Sequence, residues 1–283
     1  MNEAAPAPVR RFSFFHGLSL SFFSKEFYVD VGRAWPGVGF AYLLFLLAVA
    51  WIPLVLRIHT GFQRFVANEA PKIVAQLPHV HIANGQVQTD PPGRHEIKDP
   101  ATGKIFAVID ASIETLNLDE FPADVVVLTR NKLVVKQSDQ RQTRIQDLSN
   151  VQSFSMTRED AARWLQFAGR WLAIVFYPFA LLFSFIYRAV QVLIYAAIGI
   201  AFANAAKVGL SYPTLMRLTA VAITPAVIVD VLRDLATIPI PLWPLLCFII
   251  AMFYLHFAIH AIRDAEAASA TAVPPPSPPG FAG

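Results

Sequence analysis

Apolar residues are concentrated in a few long runs, and that distribution constrains the chain more than any motif does. One run covers Trp35 to Leu56, a polar middle follows, and further runs fill the interval between Trp171 and Ile262. The hydrocarbon core of a bilayer is about 30 Å thick and takes roughly 20 consecutive apolar residues per helix. The pattern therefore predicts a polytopic α-helical membrane protein of about five transmembrane helices, with a small antiparallel β-rich domain inserted between helices 1 and 2. Composition agrees, since 55% of the 283 residues are hydrophobic and only 15% are charged, too apolar for an ordinary soluble domain.

The expected organisation has five parts: 1–34 as a cytoplasmic tail and interfacial amphipathic helix, 35–57 as the first span, 58–165 as an extracytoplasmic α+β domain, 166–262 as a bundle of about four helices, and 263–283 as a Pro-rich flexible tail. The later spans are expected at 171–187, 190–208, 213–233 and 238–260. Arg188 separates two of them; the four-span alternative would merge 171–208 into one helix and bury that charge, which unpaired costs several kcal/mol on the order of insertion-scale penalties. Five crossings from a cytoplasmic N-terminus would put the C-terminus outside. The orientation follows from Arg10, Arg11, Lys25 and Arg33 ahead of the first span, by the bias of basic residues towards the cytoplasm. Ala48-Val49-Ala50 has the form of a signal-peptidase site, but the apolar run continues through Leu56, so the segment is read as a retained anchor.

Before the first span, Phe12, Phe14, Phe15, Leu18, Phe22, Phe23, Phe27, Tyr28 and Val31 alternate with His16, Lys25, Glu26, Asp30 and Arg33. Such a stretch suits a helix on the cytoplasmic leaflet or one packed on the bundle. In the polar middle the period changes. Asn84-Gly85 between Val80–Ala83 and Gln86–Gln88 is a strong hairpin signal, because a type I′ turn needs positive φ at both central residues. A second hairpin is expected from His95–Lys98 and Lys104–Ile109 about Asp99–Gly103, and a third from Val125–Leu128 and Leu133–Val135 about Arg130-Asn131. A helix over Gly61–Gln76 precedes them. Thr157 and Asp160 have the spacing of a capping box, opening a helix with uninterrupted periodicity from Arg158 to Tyr187. Such a helix would transmit motion of the sheet to the bundle.

Chemical signals are sparse. His256 and His260, four apart on one helix face, form half of a metal site. An intramembrane metal-dependent enzyme would need them to converge with Asp230. Asp230 and Arg233 have the spacing of an intrahelical ion pair and are candidates for a functional intramembrane pair. His79 and His81 share a strand face. Ile109-Asp110-Ala111-Ser112 lacks the glycine of an aspartic-protease loop. Cys247 is the single cysteine, which leaves no partner for an intramolecular disulfide. No phosphate loop, dinucleotide fingerprint or nucleophile elbow occurs, so no catalytic residue, metal or cofactor is assigned. A net charge of +3, with bases scattered among acids, gives no nucleic-acid footprint. Low aromatic density in the polar middle points to a shallow protein-binding edge in place of a deep pocket.

Ser21 to Leu44, SFFSKEFYVDVGRAWPGVGFAYLL, resembles the opening signature of a bacterial membrane-protein family of unknown function, DUF1189. The resemblance continues in Leu77-Pro78 with Ile82–Gly85, in Asp99-Pro100 and Thr102-Gly103 followed by Val108–Asp110, and in Tyr212, Leu215, Arg217 and Leu218 followed by Ile223–Pro225. It implies a multi-pass protein of the bacterial inner membrane and no particular reaction. The last block is also similar to the Yip-like superfamily of five-span proteins, whose eukaryotic members are non-enzymatic organisers of membrane traffic. The expected function is a non-enzymatic inner-membrane scaffold or sensor, its partners the lipid bilayer and an envelope protein. The alternative is an accessory subunit of a solute transporter.

Overall fold

The computed structural model describes residues 9–113, 117, 120–137 and 143–271. The expected Pro-rich tail beyond that, and most of the N-terminal tail, lie outside the described residues. The chain divides into two compact units, one of Met1–Arg57 with Ile174–Gly283 and one of Ile58–Ala173.

The first unit is helical. Helices α1 (Phe14–Leu20) and α2 (Lys25–Ala34) precede α3 (Gly39–Asn68). Ser24 caps α2 by accepting from the Phe27 N–H at 3.2 Å, which satisfies one of the free donors of its first turn. The aromatic segment is thus two short helices, and α2 is packed into the bundle. Phe27, Tyr28 and Val31 are fully buried, as is Trp35 just beyond. Asp30 organises the entry by accepting from the Arg11 and Phe12 N–H groups and from Trp35 Nε1. The Arg10 guanidinium lies 4.0 Å from the Trp35 ring, within cation–π range.

Among the described residues, four helices are long and apolar enough to cross a membrane: Gly39–Asn68, Arg158–Ala205, Tyr212–Ala236 and Trp243–Ser269. Five were expected. The difference lies at Arg188, which does not end a helix: the stretches 171–187 and 190–208 belong largely to one unbroken α5 (Arg158–Ala205). It closes with Lys207 at φ +59° and the Val208 N–H returning to the Ala203 carbonyl at 3.0 Å, the bonding of a Schellman stop. Alongside α3, α5 runs antiparallel: Phe40 meets Phe185, Ala48 accepts from the Tyr177 hydroxyl, and Trp51 meets Phe176.

The third apolar stretch is two helices, α6 (Tyr212–Ala222) and α7 (Thr224–Ala236), with Ile223 between them. Pro225 is in the first turn of α7, where its missing N–H costs nothing within the new helix. The adjoining Thr224 hydroxyl, fully buried, shares a 2.8 Å hydrogen bond with Tyr42 of α3. Helix α8 (Trp243–Thr271) completes the unit. Its C-terminal half lies against α2 and the residues before it: Phe22 meets Tyr254, Tyr28 meets Phe257, and Lys25 pairs with Asp264 at 2.9 Å. Because α2 leads within five residues into α3, the start of α3 and the end of α8 lie at one end of this unit.

Among its described residues the second unit holds the end of α3, the short α4 (Ala70–Val74), eight strands and the start of α5. The strands are β1 (His79–Ala83), β2 (Gln86–Asp90), β3 (Arg94–Lys98), β4 (Ile105–Asp110), β5 (Val125–Leu128), β6 (Lys132–Lys136), β7 (Thr143–Asp147) and β8 (Ser153–Met156). The three expected hairpins form. Asn84 and Gly85 both have positive φ and join β1 to β2. Two further strands, β7 and β8, were not expected from the sequence; neither has a buried residue, so neither shows the buried-exposed alternation of a half-buried strand. The strands build two sheets, ordered β2-β1-β8 and β3-β4-β5-β6-β7. All pairs are antiparallel except β4–β5, which is parallel.

That parallel pair is explained by burial. Val108, Ile109 and Asp110 of β4 are all buried; Val108 packs with Phe121, Val125, Val127 and Val134, and Ile109 with Val80, Ile82, Val87 and Leu148. A strand covered on both faces is suited to the sheet interior.

Candidate functional site

One polar cluster of the helical unit is built from the residues that interrupt its apolar runs. Arg188 of α5 directs Nη2 at Asp230 Oδ2 of α7, 3.3 Å away, and its Nη1 donates to Gln191 Oε1 at 2.6 Å. Gln191 Nε2 then donates to the Tyr195 hydroxyl at 2.8 Å. The Trp243 indole N–H, at the start of α8, donates to Asp230 Oδ1 at 2.6 Å. Arg233 lies 3.5 Å from the same oxygen and places its guanidinium 4.7 Å from the Trp243 ring. The guanidinium of Arg233 also pairs with Asp234.

Helical spacing explains part of this. Asp230 and Arg233 are one turn apart on α7, so their side chains meet without tertiary help. Arg188 and Trp243 come from other helices, and only packing brings them in. The side chains of Arg188, Asp230 and Arg233 are 13%, 27% and 25% exposed. Charges withdrawn that far from water need partners, and here both Asp230 oxygens face donors. The carboxylate therefore serves as the hub joining α5, α7 and α8.

Of the expected site residues, Asp230 and Arg233 are together, and Arg188, read from the sequence as a boundary, is their third member. The available signal was the charge itself, because a lone Arg in an apolar run calls for a carboxylate elsewhere. His256 and His260 are adjacent on α8, with ring centroids 4.2 Å apart. Among the described residues no group of three His, Cys, Asp or Glu side chains is placed to hold a metal, so Asp230 does not complete a site with them. Cys247 is buried beside Ala226 and Trp243. Asp110 accepts from the Ser112 N–H and hydroxyl at 3.0 and 2.5 Å, a local turn with no second aspartate.

In the strand unit, His79 and His81 are both exposed on one face of β1. Strand β7 is exposed at all five residues, with Ile145 at 57%, and pairs only with β6 among the described strands. An apolar groove of about 380 Å³ is lined by Val66, Ala70, Val74, Ala162 and Leu165, among others. It holds no nucleophile and base.

Among the described residues, four helices of membrane-crossing length and composition, three of them joined by an ionic hub, with a small β-rich unit inserted after the first, define a helical class with membrane-like spans and no assembled catalytic set. The chain belongs to the family described as "Protein of unknown function (DUF1189)", whose model matches residues 15–259. No curated protein and no solved structure is significantly similar to it.

Proposed function

We propose that this is a non-enzymatic scaffold or sensor of the bacterial inner membrane, whose β-rich unit lies outside the cytoplasm and docks an envelope protein by adding a strand at β7. The observation that carries the reading is the edge of β7, which pairs only with β6 among the described strands, with its exposed Ile145. An unpaired edge offers a row of backbone donors and acceptors, and alternate side chains supply selectivity. The reading takes four crossings, one for each apolar helix of spanning length among the described residues. Contact between α2 and the end of α8 favours both termini on one side of the bilayer, the cytoplasmic side by the charge bias. The Yip-like likeness of the last block fits the same non-enzymatic role.

The transporter-accessory reading draws on a different observation. Phe179, Leu182, Phe183, Ile186 and Val190 of α5 are each more than half exposed, an apolar face that lipid or a permease helix would cover.

The test is cross-linking of the intact protein in its own membrane, followed by affinity purification of wild type and Ile145→Lys. A partner cross-linked to 143–147 and lost in the variant supports strand docking. A permease retained equally in both supports the alternative. Gln88→Cys, on the exposed face of β2, should react with a membrane-impermeant maleimide added from outside. Protection of that cysteine would reverse the orientation.

A further inference from the structure

A second feature of the helical unit lies apart from the Asp230 hub. Where α3 and α6 begin, a crevice of about 130 Å³ is lined by Phe40, Val192, Pro213, Met216, Ala220 and Arg217, and by the side-chain-free Gly37 and Gly39. Every wall is apolar except Arg217. One of its terminal nitrogens, Nη2, is engaged, donating to the Gly32 carbonyl at 3.0 Å and the Thr214 hydroxyl at 2.9 Å. Its Nε is buried and has no hydrogen-bond partner. No carboxylate lies within ion-pair distance of it among the described residues. Gly39 brings α3 so close that a Cβ there would stand 3.2 Å from the Arg217 Cα.

We propose that this crevice binds an anionic phospholipid, its phosphate on Arg217 and the start of an acyl chain along Phe40, Val192 and Met216. Charge complementarity selects the ligand. A guanidinium with unused donors, in an apolar setting, is matched by a phosphate oxygen, which accepts charge-assisted hydrogen bonds. The crevice lies at the N-terminal ends of α3 and α6, whose dipoles favour an anion. The walls then require that the rest of the ligand be apolar. A free phosphate would leave them uncovered, and an acidic peptide would bring polar backbone against them. The volume is well below the roughly 300 Å³ of a drug-sized pocket, so it takes the glycerol end and a few methylenes, leaving the rest of the lipid in the bilayer.

The inference rests on the membrane reading above, and its test separates the two. Full-length protein in mild detergent is titrated with phosphatidylglycerol, with phosphatidylcholine of the same chains, and with inorganic phosphate, and bound lipid is counted by native mass spectrometry. Wild type should retain phosphatidylglycerol about tenfold more tightly than phosphatidylcholine. Arg217→Gln should abolish that preference. Met216→Trp, which fills the crevice without touching the Arg217–Gly32 bond, should remove the tight phosphatidylglycerol and provides the answer if the first variant does not fold. Equal binding of the two lipids, an undiminished preference in Met216→Trp, or full competition by inorganic phosphate would each overturn the lipid site. Failure of the membrane reading shows separately, as protein that washes off membranes at alkaline pH.

Discussion

Arg188 of α5 and Asp230 of α7, 42 positions apart in sequence, bring Nη2 within 3.3 Å of Oδ2. That contact lets α5 continue unbroken where the sequence pattern predicted two spans. A charge in an apolar run is expensive only while it lacks a partner, and Asp230 removes the reason to end the helix.

Asp230→Asn should destabilise the helical unit by about 1–3 kcal/mol, below the cost of breaking a wholly buried pair because the site is partly wet. Arg188→Met alone should behave similarly. The double variant Arg188→Met, Asp230→Asn should cost less than the sum of the two, since it leaves one unpaired guanidinium fewer than Asp230→Asn does. Thermal unfolding of the four proteins in one detergent measures the coupling. Strict additivity would show that the pair does not hold the helices.

Thr157 opens α5 in the strand unit with a reciprocal cap: its hydroxyl accepts from the Asp160 N–H, and Asp160 Oδ2 accepts from the Thr157 N–H, both at 3.1 Å. Thr157→Ala should cost about 1 kcal/mol and speed amide exchange at 158–161. Unchanged exchange there would show that the cap is dispensable.

The turn after β3 carries its own acid dependence. The Thr102 hydroxyl, and next the Ala101 N–H, hold the Asp99 carboxyl below its usual 3.8. A depressed carboxylate contributes its stabilisation fully above the unfolded value and loses it as pH falls through the folded one. The 99–104 turn should therefore stay closed down to pH 3.8 and open only in stronger acid, as the carboxyl titration read by NMR would report. Asp99→Asn should abolish that step, and an Asp99 midpoint above 3.8 would contradict the hydrogen-bond account.

Gly85 sits at φ +76°, and a Cβ on it would lie 2.6 Å from the Ser149 backbone. Gly85→Ala combines a strained φ with a clash against backbone, so it should cost more than about 1 kcal/mol. Asn84→Gly, at φ +49°, removes only strain and should be close to neutral. A chemical-melt comparison of the two distinguishes a steric position from a merely flexible one.

Short-range physics was legible in the residues. The lengths of the apolar runs mark the candidate spans, Asn84-Gly85 marks a turn because two adjacent residues need positive φ, and Thr157 with Asp160 marks a helix start because both partners lie within one turn. Asp230 and Arg233 were readable as a pair for the same reason. What periodicity could not carry was any choice between partners distant along the chain. It could not show that Arg188 meets Asp230, that β5 joins β4 in parallel, that β8 returns to β1, or that α2 packs on α8. Each of those is decided by which faces bury each other once the chain is compact, and burial is a property of the whole packing and not of any local run of residues.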